Sequence, residues 1–169
     1  QHSFPTRRSS DLVLLLEDDV ALSDLLNEHL EDKGFEVTLC TNGQDALEAL
    51  IDQKYDIALL DINTPIISGI EVLKTIRNEY KNNTPAIILT AYQDTKHLKE
   101  SFENGVDDYI KKPFDLEELD QRILKLCRQF FIEQDNKIKI DENIYFEPQT
   151  CHIFKDEKNF YTNGKLDYS

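Results

Sequence analysis

Asp61 closes a short, wholly apolar run, Ile57-Ala-Leu-Leu60, and Pro65 follows it within the next loop. Such a run suits a strand buried on both faces, as in a parallel sheet. The proline stops a strand or helix from continuing. A carboxylate is thereby lifted to the carboxyl end of a central strand, the edge at which open α/β sheets bind ligands and do chemistry. A second apolar run, Leu12-Val-Leu-Leu-Leu16, also ends in acids, Glu17-Asp18-Asp19. Carboxylates at neighbouring strand ends coexist cheaply only if one is protonated or a cation sits among them. Oxygen-only ligands with room for water and a phosphate favour Mg²⁺ over zinc or copper. Lys112, from the last strand of the sheet, can pair with Asp61 or with a phosphate on it. Thr90 ends another strand and offers a hydroxyl donor. Together these groups describe phosphoryl transfer onto a carboxylate. Asp61 is the nucleophile, Mg²⁺ and Lys112 neutralise the phosphoryl oxygens, and Thr90 donates to one of them. A carboxylate is already ionised at neutral pH, so no general base is needed. Taken singly, these are a loop acid, a surface lysine and a strand-end threonine; the combination carries the chemistry.

The elements that position these groups alternate strand and helix. After the first strand, Leu22, Leu25, Leu26 and Leu30 fall at helical spacing, and Gly34 supplies a stop. Glu36 to Cys40 partly alternates, as an edge strand does. Ala46, Leu47, Leu50 and Ile51 mark a second helix. Ser68 and Glu71 form a capping box ahead of Val72, Leu73 and Ile76. Pro85 to Leu89 is another buried strand, ending in Thr90-Ala91. A weaker helix spans Asp94 to Asn104, with Leu98 and Phe102 as its large apolar residues and Gly105 as its stop. Asp107 to Lys112 is a polar edge strand, followed by Pro113-Phe114. Asp115 and Glu118 cap a firm helix carrying Leu116, Leu119, Ile123, Leu126 and Phe130. Five βα units with right-handed crossovers predict an α/β, flavodoxin-like, doubly wound parallel sheet in the order 2-1-3-4-5. Strands 1 and 3, which carry the acids, then flank the switch point.

The 169 residues allow one full domain and part of a second. A formal net charge of -14 repels nucleic acid and anionic membranes, and no apolar run approaches a membrane span. Cys40, Cys127 and Cys151 follow no metal or redox spacing and read as reduced thiols of a cytoplasmic protein. Residues 1–11 include a basic, unpatterned stretch that is not a secretory signal and looks foreign to the fold. The expected organisation is this leader, a domain over 12–131, a polar linker over 132–137, and a small antiparallel β segment over 138–169.

With the strand ends in place, residues 12 to about 131 resemble the receiver domain of two-component response regulators, the CheY family. The motifs are Glu17-Asp18, Asp61 with Pro65, Thr90-Ala91, and Tyr109 with Lys112-Pro113-Phe114. The resemblance implies that Asp61 accepts phosphate from a sensor histidine kinase. Asp18 ligates Mg²⁺, Glu17 acts through water, the Asn63 carbonyl completes the protein ligands, and Lys112 bridges to the phosphate. Thr90 and Tyr109 form a switch pair, and Tyr92 and Asn63 occupy positions that tune phosphate lifetime. The tail is similar to the OmpR/PhoB type of transcription factor, in which a small sheet precedes a winged helix. On that resemblance the effector domain is truncated near Ser169, and DNA is contacted only by a longer version. Dimerisation is implied through the helix after strand 4, strand 5 and the helix after it. Asp107, Asp108, Glu118 and Arg122 match that face, while Leu98, with Lys96 and Lys99 nearby, replaces an expected basic residue.

Two other readings compete. A phosphate-independent interaction module would share the fold but has no use for the acids and lysine. An Asp-nucleophile phosphohydrolase would resemble Asp61-Ile-Asn-Thr64, but Asn63 replaces its acid/base and its loop follows the first strand. The expected protein is a switch, at most slowly dephosphorylating itself, and not a turnover enzyme.

Overall fold

The computed structural model describes residues 11–91, 99, 103 and 105–135, and beyond them the backbone of the strands within 138–166. Side chains are described up to residue 129. The chain divides into two compact units after Leu124.

The first unit is built on β1 (Asp11–Leu16), β2 (Phe35–Cys40), β3 (Ile57–Asp61), β4 (Ala86–Ala91) and β5 (Asp108–Lys112). All pairings are parallel, in the order β2-β1-β3-β4-β5. The helices between them are α1 (Val20–Asp32), α2 (Gly43–Asp52) and α3 (Gly69–Asn78), and α4 (Leu116–Asp135) follows β5. The doubly wound sheet expected from the sequence is therefore the sheet observed. Every residue of β3 is buried, which is why its sequence shows no alternation. β2 and β5 are the edges, and their sequences are correspondingly mixed.

Local signals set the helix ends. Asp19 caps α1 by accepting from Leu22 N at 2.9 Å, and Gly34, at φ 95°, follows its end. Ser68 Oγ accepts from Glu71 N at 3.2 Å, and Asp115 Oδ1 from Glu118 N at 2.8 Å. The apolar stripes are narrower than the spacing suggests. Leu25 is 49% and Ile51 41% exposed. In α1 the inward line runs through Ser23, Leu26 and Leu30, which leaves Leu25 on its flank.

Two boundaries also move. β1 begins at Asp11, which is buried and pairs with Phe35, so this strand includes the last residue of the expected leader. Most of the linker expected at 132–137 is helical, because α4 runs to Asp135. Glu and Gln are good helix formers, and a polar stretch without Gly or Pro does not end a helix. The helix expected over 94–104, with Lys96, Leu98 and Phe102, lies outside the described residues except for Lys99 and Glu103.

At the amino end of the sheet, Arg77 of α3 works as a clamp. Its guanidinium donates to the carbonyls of Asn82 and Thr84, both at 2.6 Å, and of Gly105 at 3.3 Å, and sits 3.6 Å from Asp107. Asn82 in turn donates to the Leu50 carbonyl at 3.1 Å. At the other end, the loop after β3 is drawn tightly against α3 and α2. A Cβ on Gly69 would stand 2.2 Å from the Asp61 carbonyl oxygen, and one on Gly43 would stand 1.9 Å from that of Ile67. Ile67 N donates to the Pro65 carbonyl at 2.9 Å, closing a γ-turn around Ile66, which has φ 73° and is 78% exposed. A β-branched residue at positive φ is strained.

The second unit, by itself, contains an antiparallel sheet of β6 (Ile138–Asp141), β7 (Ile144–Glu147), β8 (His152–Lys155), β9 (Lys158–Thr162) and β10 (Lys165–Leu166). Successive strands are neighbours, the order expected of a meander.

Gly69→Ala is expected to destabilise the protein by about 1–3 kcal/mol, since its methyl meets backbone that must shift. Urea unfolding of the two proteins would show it. Ile66→Gly is expected to raise stability in the same assay. Relief of about 1–2 kcal/mol of left-handed strain exceeds the roughly 0.4–1 kcal/mol of added unfolded-chain entropy.

Candidate functional site

Four strand ends converge at the carboxyl edge of the sheet. β1 leads directly into Glu17 and Asp18, β3 ends in Asp61, β4 carries Thr90 and β5 ends in Lys112. Because β1 and β3 are adjacent, their acids meet. One carboxylate oxygen from each of Glu17, Asp18 and Asp61 lies within 4.8 Å of the others. Glu17 and Asp61 are buried, at 1% and 4% exposure, while Asp18 faces solvent. Lys112 reaches across from β5: its Nζ stands 2.6 Å from Glu17 Oε2 and 3.4 Å from Asp61 Oδ2. The peptide bond between Lys112 and Pro113 is cis.

The site also makes contacts with backbone. Asn63 N donates to Asp61 Oδ1 at 3.3 Å, and Asp19 N donates to Glu17 Oε1 at 3.1 Å. Thr90 is fully buried, and its hydroxyl donates to the neighbouring Ala91 carbonyl at 3.1 Å. Tyr109 is half-buried and packs against the core. Leu22, Lys112, Pro113 and Phe114 line an apolar hollow beside the site.

Burial, and next the charge of Glu17, push the Asp61 carboxyl up to about 6, against the opposing pull of Lys112 and the Asn63 amide. Burial works against the Lys112 ammonium. Its hydrogen bond to Glu17 and the charges of Asp61 and Glu17 outweigh that and hold it above the ordinary lysine value. Asp61 is therefore a buried acid that remains mostly ionised at neutral pH yet lacks full compensation. Among the described residues the cluster is three carboxylates with no nitrogen or sulfur donor, which suits a hard, oxygen-seeking divalent cation, so the donor set fits Mg²⁺.

The structure thus brings together Glu17, Asp18, Asp61, Thr90 and Lys112 at one sheet edge. Asn63 is exposed beside them, and Tyr92 lies outside the described residues. The residues matched to a dimer face have partners within the chain. Asp108 is buried and accepts from Arg122 at 3.1 and 3.2 Å, and Arg122 stands 3.9 Å from Glu118. Asp107 accepts from Ala86 N at 2.8 Å and faces Arg77. The pairing of Lys112 with Glu17 was missed by sequence reasoning; the extra methylene of glutamate over aspartate was its only signal.

A raised carboxyl means that the folded state resists the charge. This costs stability above pH about 6, and the cost fades as pH falls toward the unfolded value. Asp61→Asn is therefore expected to stabilise the chain by roughly 1–2 kcal/mol at pH near 7.5. The gain should shrink as pH falls through about 6. Denaturant unfolding of both proteins across that range is the check.

A family model described as the response regulator receiver domain matches residues 13–124. The transcriptional regulatory protein CrdR of Helicobacter pylori is 40% identical over 146 residues, which cover 86% of this chain and 65% of that protein. The chain thus spans about two thirds of that relative's length. The receiver domain of Francisella response regulator 1452 superposes with a TM-score of 0.66 at 32% identity, covering 72% of this chain and 99% of that one. The receiver domain of the Pseudomonas aeruginosa sensor histidine kinase PA1611 superposes with a TM-score of 0.61 at 32% identity, covering 69% and 95%. That structure holds a magnesium ion in its active-site cleft.

Proposed function

The chain belongs to the response regulator receiver domain family, and from that premise we propose that it is a phosphoryl-accepting switch of a two-component phosphorelay, with Asp61 as the acceptor. The observation that carries the reading is the convergence of Glu17, Asp18 and Asp61 with Lys112 at adjacent strand ends. The donor is the phosphohistidine of a sensor kinase. An Asp61 carboxylate oxygen attacks phosphorus, the P–N bond to the histidine breaks, and the imidazole nitrogen keeps the electron pair. Asp61 is charged and buried, so it attacks without first shedding a water shell. Lys112 pairs with the phosphoryl oxygens formed there, and the Thr90 hydroxyl turns from the Ala91 carbonyl to donate to one of them. Glu17, Asp18, Asp61 and the Asn63 carbonyl would hold Mg²⁺, which supplies charge neutralisation at the phosphoryl oxygens.

The movement of Thr90 leaves space for Tyr109 to turn inward. That couples the site to the face containing Asp107, Asp108, Glu118 and Arg122 and favours a homodimer. For this to happen, Arg122 exchanges its Asp108 contact within the chain for one across the dimer. The hollow lined by Leu22, Pro113 and Phe114 adjoins Lys112 and suits an apolar helix face of the kinase. On this reading the β6–β10 sheet belongs to the effector half of a cytoplasmic transcriptional regulator. This reading predicts no steady turnover of a phosphoester.

Incubation with acetyl phosphate and Mg²⁺ is expected to add one phosphoryl group by intact mass. The adduct should vanish with EDTA and in Asp61→Asn. Absence of an adduct in the unsubstituted protein would move the assignment to a phosphate-independent interaction module.

A further inference from the structure

β5 is an edge strand of its sheet, paired with β4 alone. It carries Tyr109, and its carboxyl end is fastened through Lys112 to Glu17 and Asp61. Its amino end is fastened by a second cation, Arg77, from the last turn of α3. That side chain is only 12% exposed, so its donors must find acceptors inside the protein. Nη1 and Nη2 donate at 2.6 Å to the Asn82 and Thr84 carbonyls, which hold the guanidinium to the connection between α3 and β4. Nε and Nη2 then reach the Gly105 carbonyl at 3.4 and 3.3 Å. Asp107 closes the arrangement: its carboxylate lies 3.6 Å from Nη2 and accepts from Ala86 N at 2.8 Å, while Asp107 N donates to the Ala86 carbonyl at 3.1 Å. The other end of α3 touches the acceptor residue. Gly69 N donates to the Ile62 carbonyl at 3.3 Å, and Gly69 lies against the Asp61 backbone with no room for a Cβ. Buried Ile70, Val72, Leu73 and Ile76 lock the helix between these contacts. One ten-residue helix, about 15 Å long, therefore meets Asp61 at its first turn and the approach to β5 at its last. If that approach were loose, a pull on Lys112 would slide β5 along β4. With it held, the pull must be taken up within the strand, where Tyr109 sits.

We propose that Arg77 is a positioning residue for the phosphoryl switch: it fixes the approach to β5 against the end of α3, so that charge gained by Asp61 becomes movement of Tyr109 and not a slide of β5 along β4. This rests on the phosphoacceptor reading and adds to it a second element, α3, that joins the acceptor to β5. The probe is beryllofluoride with Mg²⁺, a stand-in for the phosphoryl group, added to the full chain. In the unsubstituted protein it is expected to displace the Tyr109 ring Hε–Cε resonance, assigned by its loss in Tyr109→Phe, and to leave the Arg77 Nε–Hε resonance in place. Arg77→Lys keeps the charge but presents its donors from one nitrogen, without the planar fork that bridges three carbonyls. It is expected to take up one phosphoryl group from acetyl phosphate by intact mass, as the unsubstituted protein does, and to lose most of the Tyr109 displacement. Leu30→Ala truncates a buried core residue on α1, outside the clamp. It is expected to keep the displacement, which separates positioning from loss of stability. Arg77→Lys with the full displacement, or without the phosphoryl adduct, would overturn the proposal, as would an equal loss in Leu30→Ala. Should Arg77→Lys fail to fold, the Arg77 Nε–Hε resonance of the unsubstituted protein decides. A shift there on adding beryllofluoride overturns the proposal, and a fixed resonance while that of Tyr109 moves upholds it. Neither adduct nor displacement in the unsubstituted protein would overturn the phosphoacceptor reading, and the proposal with it.

Discussion

Among the described residues two buried carboxylates share one ammonium, and that imbalance governs the first unit. Charge taken out of water must find compensation, and a lone ion pair in a protein interior only partly recovers what desolvation costs. Here the shortfall is built in. Glu17 and Asp61 are nearly closed to solvent, while among the described residues Lys112 is the single cation between them. The result is a site under tension that a divalent cation and a phosphoryl group would each relieve or redistribute. The raised carboxyl of Asp61 expresses the same shortfall in protonation.

The sheet exists to hold that imbalance in place. A parallel strand buried on both faces has no freedom to slide, because a slip of one residue would turn every side chain over. β3 is such a strand, and Asp61 is its last residue. The glycines beneath it let α3 and α2 approach to backbone contact, so the loop carrying Asn63 cannot settle elsewhere. Specificity of placement comes from this packing, and reactivity comes from the charges placed.

Much of this was legible in the residues. Leu12 to Leu16, Ile57 to Leu60 and Pro85 to Leu89 read as buried strands because nothing polar interrupts them, and the acids stood out by ending such runs. Caps at Ser68 and Asp115 followed from local chemistry that tertiary structure had no reason to override. What escaped was relational. Leu25 and Ile51 are apolar at helical spacing, yet which flank of a helix meets the sheet depends on the sheet. The polar stretch after residue 132 reads as a linker, whereas Glu and Gln let a helix run on. Asp108 and Arg122 match a dimer face by resemblance, and no local pattern announces that they also pair within one chain. Glu17 and Lys112 lie 95 residues apart in sequence, so no local pattern announces their contact.

The Arg77 clamp has a mechanical meaning. It fastens the carboxyl end of α3, the entry to β4 and the approach to β5 by three backbone carbonyls at the edge of the sheet opposite Asp61. A sheet pinned at one edge and loaded at the other behaves as a cantilever. Work done on Asp61 is not dissipated by rigid sliding of the strands, because their roots are held. It is expressed where the beam is free, in the loops after β3 and β5.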